Sequence, residues 1–525
     1  MSVMNANRQI ARAAGTVMTA ILLGQIAGLM RGILVARAFG ASPELDAFFA
    51  ANRVSETLFL LVAGGALGSA FIPTFTGLLA KNEEDAAWRL ASALANAVTL
   101  TLSLLAALIA LFAPQVVRYA LAPGFSSDSQ LFALTVALLR IQLISSILFG
   151  LGGLIVGILN AHQIFLIPAL TPAMYQLGII IGAVFLVPTM GIYGLAWGVV
   201  IGAVLYLIIQ IPTLFKQKGV YTFTLGLNDP SVKQVIFLMG PRLLGVAVVQ
   251  LNFWVNTWLA SKMEAGSVTG LSYGFSLMLM AQAAIAQSVA IAAMPTFSAQ
   301  HALGKLDEMR NALAASLRGV ILLALPASVG LILLAGPLVS LLYQRGEFDQ
   351  KSVQFVVWPL LWYAAGLVGH SVMEVLTRAF YAQHDTKTPV IIGATAMGLN
   401  VVFSIFFSKW FLQIGWLPHG GLAFANSLAT ALEAAALFIV MRKRLNGIEG
   451  KFIARGFGAA AVTSYVMAIA LSFWLEALRQ KSTLVITVSG MILGGIVYFA
   501  GMWLLRVREI KLVINAVGNQ LKKHM

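Results

Sequence analysis

The sequence predicts an all-α polytopic membrane protein of about fourteen transmembrane helices, built as two parallel six-helix repeats followed by a C-terminal helix pair. Three observations lead there. The composition is too apolar for water, apolar runs of span length recur along the chain, and short motifs recur at a nearly constant offset. Of 525 residues, 59% are hydrophobic and 10% are charged. Mean hydropathy is +0.89. Soluble domains carry about 25% charged residues, so lipid must act as solvent for much of this chain.

A spanning helix needs ~20 apolar residues. Apolar runs bounded by charges or Pro/Gly-rich breaks fall at 14–40, 46–75, 88–113, 131–158, 164–188, 191–215, 234–261, 266–296, 311–343, 353–382, 388–411, 420–441, 454–476 and 483–505. Arg8 and Arg12 precede the first run, which is too long for a cleaved signal peptide. An even number of spans puts both termini on one side. With the N-terminus cytoplasmic, 22 Lys and Arg fall on the cytoplasmic side, 8 on the opposite side and 4 inside spans. That bias predicts cytoplasmic termini.

The net charge of +15 fits cytoplasmic loops facing anionic membrane lipids, and nucleic acid is not an expected partner. The chain has no cysteine, which removes disulfides and thiol chemistry. It has no P-loop and no histidine pair at metal spacing, so neither cofactor nor metal is expected. An enzyme acting on polyprenyl phosphates would need carboxylates grouped in loops. The loops are short, and Glu83, Glu84 and Asp85 read as a solvated charge run.

The repeat is carried by four matches in the same order. Pro73-Thr74-Phe75 recurs as Pro295-Thr296-Phe297, and Gly124 as Gly346, both 222 residues apart. Thr171-Pro172 recurs as Thr388-Pro389, and Gly194-Leu195-Ala196 as Gly421-Leu422-Ala423. A six-span unit gives two lobes pointing the same way, as in transporters with a midplane site. The expected organisation is a first lobe at 1–218, a second at 219–445, and 446–525 holding spans 13 and 14 with a basic tail.

Ionisable groups inside spans cost about 2.5–3.5 kcal/mol each and mark pathways. Arg31, Asp46, Arg53 and Glu56 cluster in spans 1 and 2, with Asn52 beside them. Arg31 reads either as an anion-binding group in a wet cavity or as the structural partner of Asp46 or Glu56. Asp46 reads as a substrate contact or as a helix N-terminal cap. Arg53 and Glu56, three apart, share a helix face and suit a local ion pair. Arg140, Arg242 and Glu433 suit snorkelling or structural pairing. Glu374, Asn256 and Asn400 are candidates for gating or coupling. So is Gly28, which with Gly24 and Gly32 allows close packing or bending of span 1. At the repeat offset Arg31 and Asp46 correspond to Phe253 and Val268, so the first lobe is charged where the second is apolar.

Several stretches resemble the MurJ/MviN family of lipid-linked precursor flippases, within the multidrug/oligosaccharidyl-lipid/polysaccharide exporter superfamily. They are Arg31 with Ala36-Arg37-Ala38-Phe39-Gly40-Ala41, Asp46-Ala47-Phe48-Phe49, Leu121-Ala122-Pro123-Gly124-Phe125 and Gly157-Ile158-Leu159-Asn160. Gly240-Pro241, Gly346-Glu347-Phe348, Phe380-Tyr381-Ala382 and Asp385-Thr386-Lys387-Thr388-Pro389 follow. The resemblance implies movement of lipid II, an undecaprenyl-diphosphate-linked glycan, from the inner to the outer leaflet of the bacterial cytoplasmic membrane. It implies alternating access without ATP, driven by membrane potential or an ion gradient, with spans 13 and 14 forming a groove for the lipid tail. It assigns Arg31 to the diphosphate and Asp46 to the same site. We expect a monomer and no enzyme activity.

The sequence departs from the family at other arginines, which fall at Gln25, near Phe59 and, in span 8, at Ser276. A family glutamate falls at Gly64, and acids of a sodium site at Asn256 and Ser404. The alternatives are therefore a flippase for another polyprenyl-diphosphate-linked oligosaccharide, or a drug/cation antiporter of the same superfamily.

Overall fold

The structure, a computed structural model, describes residues 3–61 and 67–509. The side chains of Arg8, Arg12 and Arg242, Gly64, and the basic tail with Lys511, Lys522 and Lys523 lie outside the described residues. No strand occurs among the described residues. The helices are α1 Val3–Phe39, α2 Pro43–Leu61, α3 Leu67–Ala80, α4 Glu84–Leu111, α5 Ser129–Ala161, α6 Leu166–Met190, α7 Ile192–Phe215, α8 Pro230–Ala260 and α9 Ser267–Ala302. They continue with α10 Leu306–Leu333, α11 Ala335–Tyr343, α12 Gln350–Ala365, α13 Leu367–Ala382, α14 Lys387–Gln413, α15 Pro418–Arg444, α16 Gly450–Ala477 and α17 Thr483–Leu504.

Among the described residues, eleven helices are long and apolar enough to cross a membrane, and two bent pairs bring the number to thirteen. One pair is α8, bent by 44° between Gly240 and Gly245; the other is α12 with α13, bent by 50°. The second bend has a local cause. The Ser427 hydroxyl donates to the Trp362 carbonyl at 2.8 Å. A Cβ on Gly366 would stand 2.3 Å from that same hydroxyl oxygen. A side chain pressed into the helical ladder is a usual origin of a kink. The expected span 46–75 falls on α2 and α3, either side of residues 62–66, which lie outside the described residues. The fourteenth span rests on that stretch, since α2 with Glu44, Asp46, Arg53 and Glu56 is too charged to qualify alone.

The chain divides into two compact units, Met1–Thr269 with Arg345–Asp349, and Gly270–Gln344 with Gln350–Met525. In the first unit the start of the second repeat, including α8, packs against α2, α3 and α4. Glycines bring its helices together. A Cβ on Gly178 of α6 would lie 2.1 Å from the Gly202 Cα of α7, and one on Gly182 would lie 2.6 Å from Gly198 Cα. This is small-residue packing of the kind that drives helix association in lipid. Loops use the same device. A Cβ on Gly124 would lie 2.0 Å from the Ser261 carbonyl oxygen, and the Gly124 N–H donates to Ser261 Oγ at 3.2 Å. Gly346, at φ +62°, lies against Arg37 in the same way, and the Glu347 N–H donates to the Arg37 carbonyl at 3.0 Å.

The second unit contains α16 and α17, the pair outside the repeat. Arg318 of α10, 8% exposed, holds Glu509 at 2.8 Å and donates to the Phe452 carbonyl at 3.0 Å. A Cβ on Gly456 would meet its side chain at 2.7 Å. Above that clamp, α10, α16 and α17 surround an apolar cavity of about 350 Å³, lined by Pro326, Gly330, Leu471, Gly490, Gly494 and Phe499 among others.

Candidate phosphate-binding site

In the first unit three helices bring polar groups together at one place. Helix α1 supplies Arg31, α2 supplies Asn52, Arg53 and Glu56, and α6 supplies Tyr175. The Tyr175 hydroxyl faces the Asn52 side chain, and both the Arg31 guanidinium and the Glu56 carboxylate act on it electrostatically. Tyr175 is seated from behind. Its ring meets Phe149 edge-on at 5.0 Å, and Phe149 meets Phe59 at 4.9 Å. A Cβ on Gly202 would lie 2.5 Å from the Tyr175 carbonyl oxygen. The glycine seam between α6 and α7 thus fixes the residue that α2 engages.

Arg53 forms the local ion pair its spacing predicts, with Glu56 at 2.9 Å, and its guanidinium lies 5.0 Å from the centroid of the Phe253 ring. Phe253 is the residue that the repeat offset equates with Arg31. Trp254 donates to Thr57 Oγ1 at 2.8 Å, and that hydroxyl donates to the Arg53 carbonyl at 2.7 Å. Arg31 itself makes no ion pair among the described residues and is half-buried. Neither Asp46 nor Glu56 serves as its salt-bridge partner. An arginine placed next to hydrogen-bonding groups, with its charge uncompensated, can hold an oxyanion with two parallel N–H donors.

Asp46 is only 2% exposed and is occupied by protein. Its Oδ2 accepts from the Gly266 N–H at 2.7 Å. Its Oδ1 accepts from the Thr269 N–H at 2.7 Å and the Thr269 hydroxyl at 2.6 Å. The carboxylate therefore caps the opening turn of α9 across the unit, where unpaired N–H groups and the helix dipole favour a negative charge. Of the two sequence readings of Asp46, capping is realised, but on another helix than its own.

The remaining expected residues lie elsewhere. Gly28 is a packing position: a Cβ there would meet Gln176 Nε2 at 3.6 Å, and α1 runs through it unbroken. Asn256 donates to Asn252 at 3.4 Å. In the second unit Ser276 is exposed, its hydroxyl turned back onto the Ser272 carbonyl at 2.8 Å. Glu374 pairs with Arg378 at 3.1 Å. Asn400, fully buried, accepts from Ser404 at 3.1 Å. Arg140 donates to the Ala110 carbonyl at 3.0 Å. Glu433 corrects the sequence reading. It does not snorkel, being 8% exposed, and it makes no ion pair among the described residues. Its carboxylate rests on Gly393. The site residue that sequence reasoning missed is Tyr175; the signal available was the polar pair Tyr175-Gln176 in the apolar run Leu166–Ile181.

The stretch Asp385–Pro389 ties the start of α14 to the end of α15. Asp385 Oδ1 accepts from the Lys387 and Thr388 N–H groups, each at 3.0 Å. Its Oδ2 accepts from the Thr388 hydroxyl at 2.6 Å and pairs with Arg444. Burial alone would raise this carboxyl, but the Thr388 bonds and the Arg444 guanidinium outweigh it and hold the group down to about 2. Its stabilisation is therefore fully present above the ordinary value of 3.8 and is lost as pH falls through about 2. Asp385→Ala should lower the unfolding midpoint by a constant amount from about pH 5 to about pH 8, with the gap closing only in strong acid. A gap that changed across the neutral range would assign the effect to another group.

The family model described as lipid II flippase MurJ matches residues 35–493, beginning just after Arg31. The chain is 32% identical over 509 residues to the lipid II flippase MurJ of Burkholderia cenocepacia, covering 94% of this chain and 97% of the relative. It is 30% identical to the probable lipid II flippase MurJ of Vibrio cholerae, over 93% and 94% of the two chains. Among solved structures, a lipid II flippase MurJ in an inward closed conformation superposes with a TM-score of 0.80 at 24% identity, over 93% of this chain and 98% of that one. An inward-facing MATE family multidrug resistance transporter gives 0.67 at 16% identity, over 82% and 98%. The last two likenesses speak for the fold. With a matching family model over most of its length and a full-length relative above 30% identity, the chain belongs to the lipid II flippase MurJ family.

Proposed function

We propose that this protein flips lipid II, the lipid-linked peptidoglycan precursor, from the cytoplasmic to the outer leaflet of the bacterial inner membrane. It is a transporter and not an enzyme. The observation that carries the reading is Arg31, which makes no ion pair among the described residues and acts electrostatically on Tyr175, within a MurJ-family chain. In this reading Arg31 takes the diphosphate, Asn52 and Tyr175 orient it, and Arg53 with Glu56 borders the site. Asp46 serves from outside, by fixing the opening turn of α9. The lobes 1–218 and 219–445 rock against each other, driven by membrane potential or an ion gradient, and spans 13 and 14 guide the tail. The termini are cytoplasmic, anionic lipids meet the basic loops, and the protein works as a monomer.

A second reading keeps the mechanism and changes the headgroup to another polyprenyl-diphosphate-linked glycan. It is favoured by Ser276, exposed and uncharged, where the family resemblance leads one to expect a diphosphate-binding arginine. The test is complementation of a bacterium depleted of its own lipid II flippase. Growth is the expected result. A well-inserted protein that failed to support growth in several hosts would move the assignment to the second reading.

A further inference from the structure

The segment joining α7 to α8 follows an unusual path. It enters at Gly219, where a Cβ would lie 2.2 Å from the Trp88 ring of α4. It then runs along α4 to the level of Asn96, eight residues on, which is about 12 Å deeper along the helix. The Thr222 N–H donates to Ser92 Oγ at 3.1 Å. Asn96 Nδ2 donates to the Thr224 carbonyl at 2.8 Å, and Asn96 Oδ1 accepts from the Tyr221 hydroxyl at 2.6 Å. The segment returns at Gly226, which lies against Ala93, and ends at Asp229, which caps α8 through the Ser231 N–H at 2.8 Å.

Its side chains alternate. Thr222, Thr224 and Gly226 are separated by Tyr221, Phe223, Leu225 and Leu227, which are 62%, 92%, 37% and 67% exposed. The face of α4 beneath explains the arrangement. Further along, that face carries Leu100, Leu104, Leu108 and Leu111, all exposed and spaced three or four apart, a stripe suited to lipid. On the preceding two turns the same stripe reads Ser92 and Asn96, and there the segment lies over it. Irregular backbone in hydrocarbon needs partners for its polar groups; here Ser92 accepts from the Thr222 N–H and Asn96 donates to the Thr224 carbonyl. Trp88 marks the interface, and exposed Lys216, Lys218 and Lys233 flank the segment at headgroup level.

We infer that residues 219–227 are a lipid-facing strap, inserted among the acyl chains of the leaflet at which α4 begins, with Ser92 and Asn96 holding its backbone. The strap completes the apolar stripe of α4 by covering its two polar residues.

The absence of native cysteine makes the test direct. Phe223→Cys, Leu227→Cys, Leu104→Cys and Lys218→Cys would each carry a nitroxide in vesicles of phosphatidylethanolamine and phosphatidylglycerol. Accessibility to oxygen and to a water-soluble nickel chelate would be read from power saturation. The labels at 223 and 227 should match Leu104→Cys, with an oxygen-to-nickel ratio several-fold above that at Lys218→Cys. Nickel access equal to that at 218 for both labels would overturn the proposal; if Phe223→Cys fails to fold, Leu227→Cys carries the same comparison. Adding Asn96→Leu should raise label mobility and nickel access at 223. An unchanged spectrum would remove Asn96 from its holding role.

Discussion

Arg31→Ala is expected to abolish rescue of a flippase-depleted bacterium while leaving the protein folded. The guanidinium makes no ion pair among the described residues, so its removal strands no buried partner. The unfolding midpoint in detergent should therefore move by no more than the equivalent of about 0.5 kcal/mol. The loss falls on the substrate. One charge-assisted contact to an oxyanion is worth about 2–3 kcal/mol, or roughly 30- to 140-fold in binding. Arg31→Lys should recover only part of this, since an ammonium cannot present two parallel donors. Rescue by an equally expressed Arg31→Ala would keep the protein a flippase and remove Arg31 from its centre.

Much of the candidate site is legible in the sequence because charge inside a span is expensive. Arg31, Arg53 and Glu56 stand out in a sequence with 10% charged residues, with Asn52 next to Arg53, and in the structure Arg53 pairs with Glu56 while Arg31 and Glu56 both act on Tyr175. Tyr175 carries no charge, and its only signal, the polar pair with Gln176 in an apolar run, is easily read as packing. Only the fold shows that Phe149 and Gly202 fix its ring and backbone while its hydroxyl reaches Asn52. Glu433 failed for a related reason. Burial of a single carboxylate against a glycine, Gly393, depends on which helix faces it, and a sequence does not state that.

The internal repeat was legible as motif offsets, and its meaning became physical in the structure. Gly124 and Gly346 match at 222 residues, and each seats a loop on a carbonyl at the end of a first-of-repeat helix, Ser261 in one case and Arg37 in the other. The broken spans were less legible. The bend at Gly366 comes from Ser427, sixty-one residues away, and the glycine alone does not announce it. Span 2 reads as one apolar run when Asp46, Arg53 and Glu56 are weighed as a site, whereas with Glu44 they make α2 too charged to qualify alone as a membrane helix.

Asp46→Ala should behave in the opposite way from Arg31→Ala. Its carboxylate accepts three hydrogen bonds from Gly266 and Thr269 while almost fully buried. Deleting it leaves two backbone N–H groups and a hydroxyl without partners at the start of α9. At about 1.5–3 kcal/mol for a bond to a charged group, and without full additivity, the cost is on the order of 4 kcal/mol. Asp46→Asn should recover only part of it. The amide oxygen can serve one side of the cap, but its NH₂ then faces an N–H on the other. The pair of variants separates binding from architecture: Arg31→Ala loses rescue at an unchanged unfolding midpoint, and Asp46→Ala loses both together. If Asp46→Ala unfolded like the wild type and still lost rescue, the cap would be dispensable. Asp46 would then return to the substrate side of the mechanism, with the bonds to Gly266 and Thr269 breaking as the headgroup arrives.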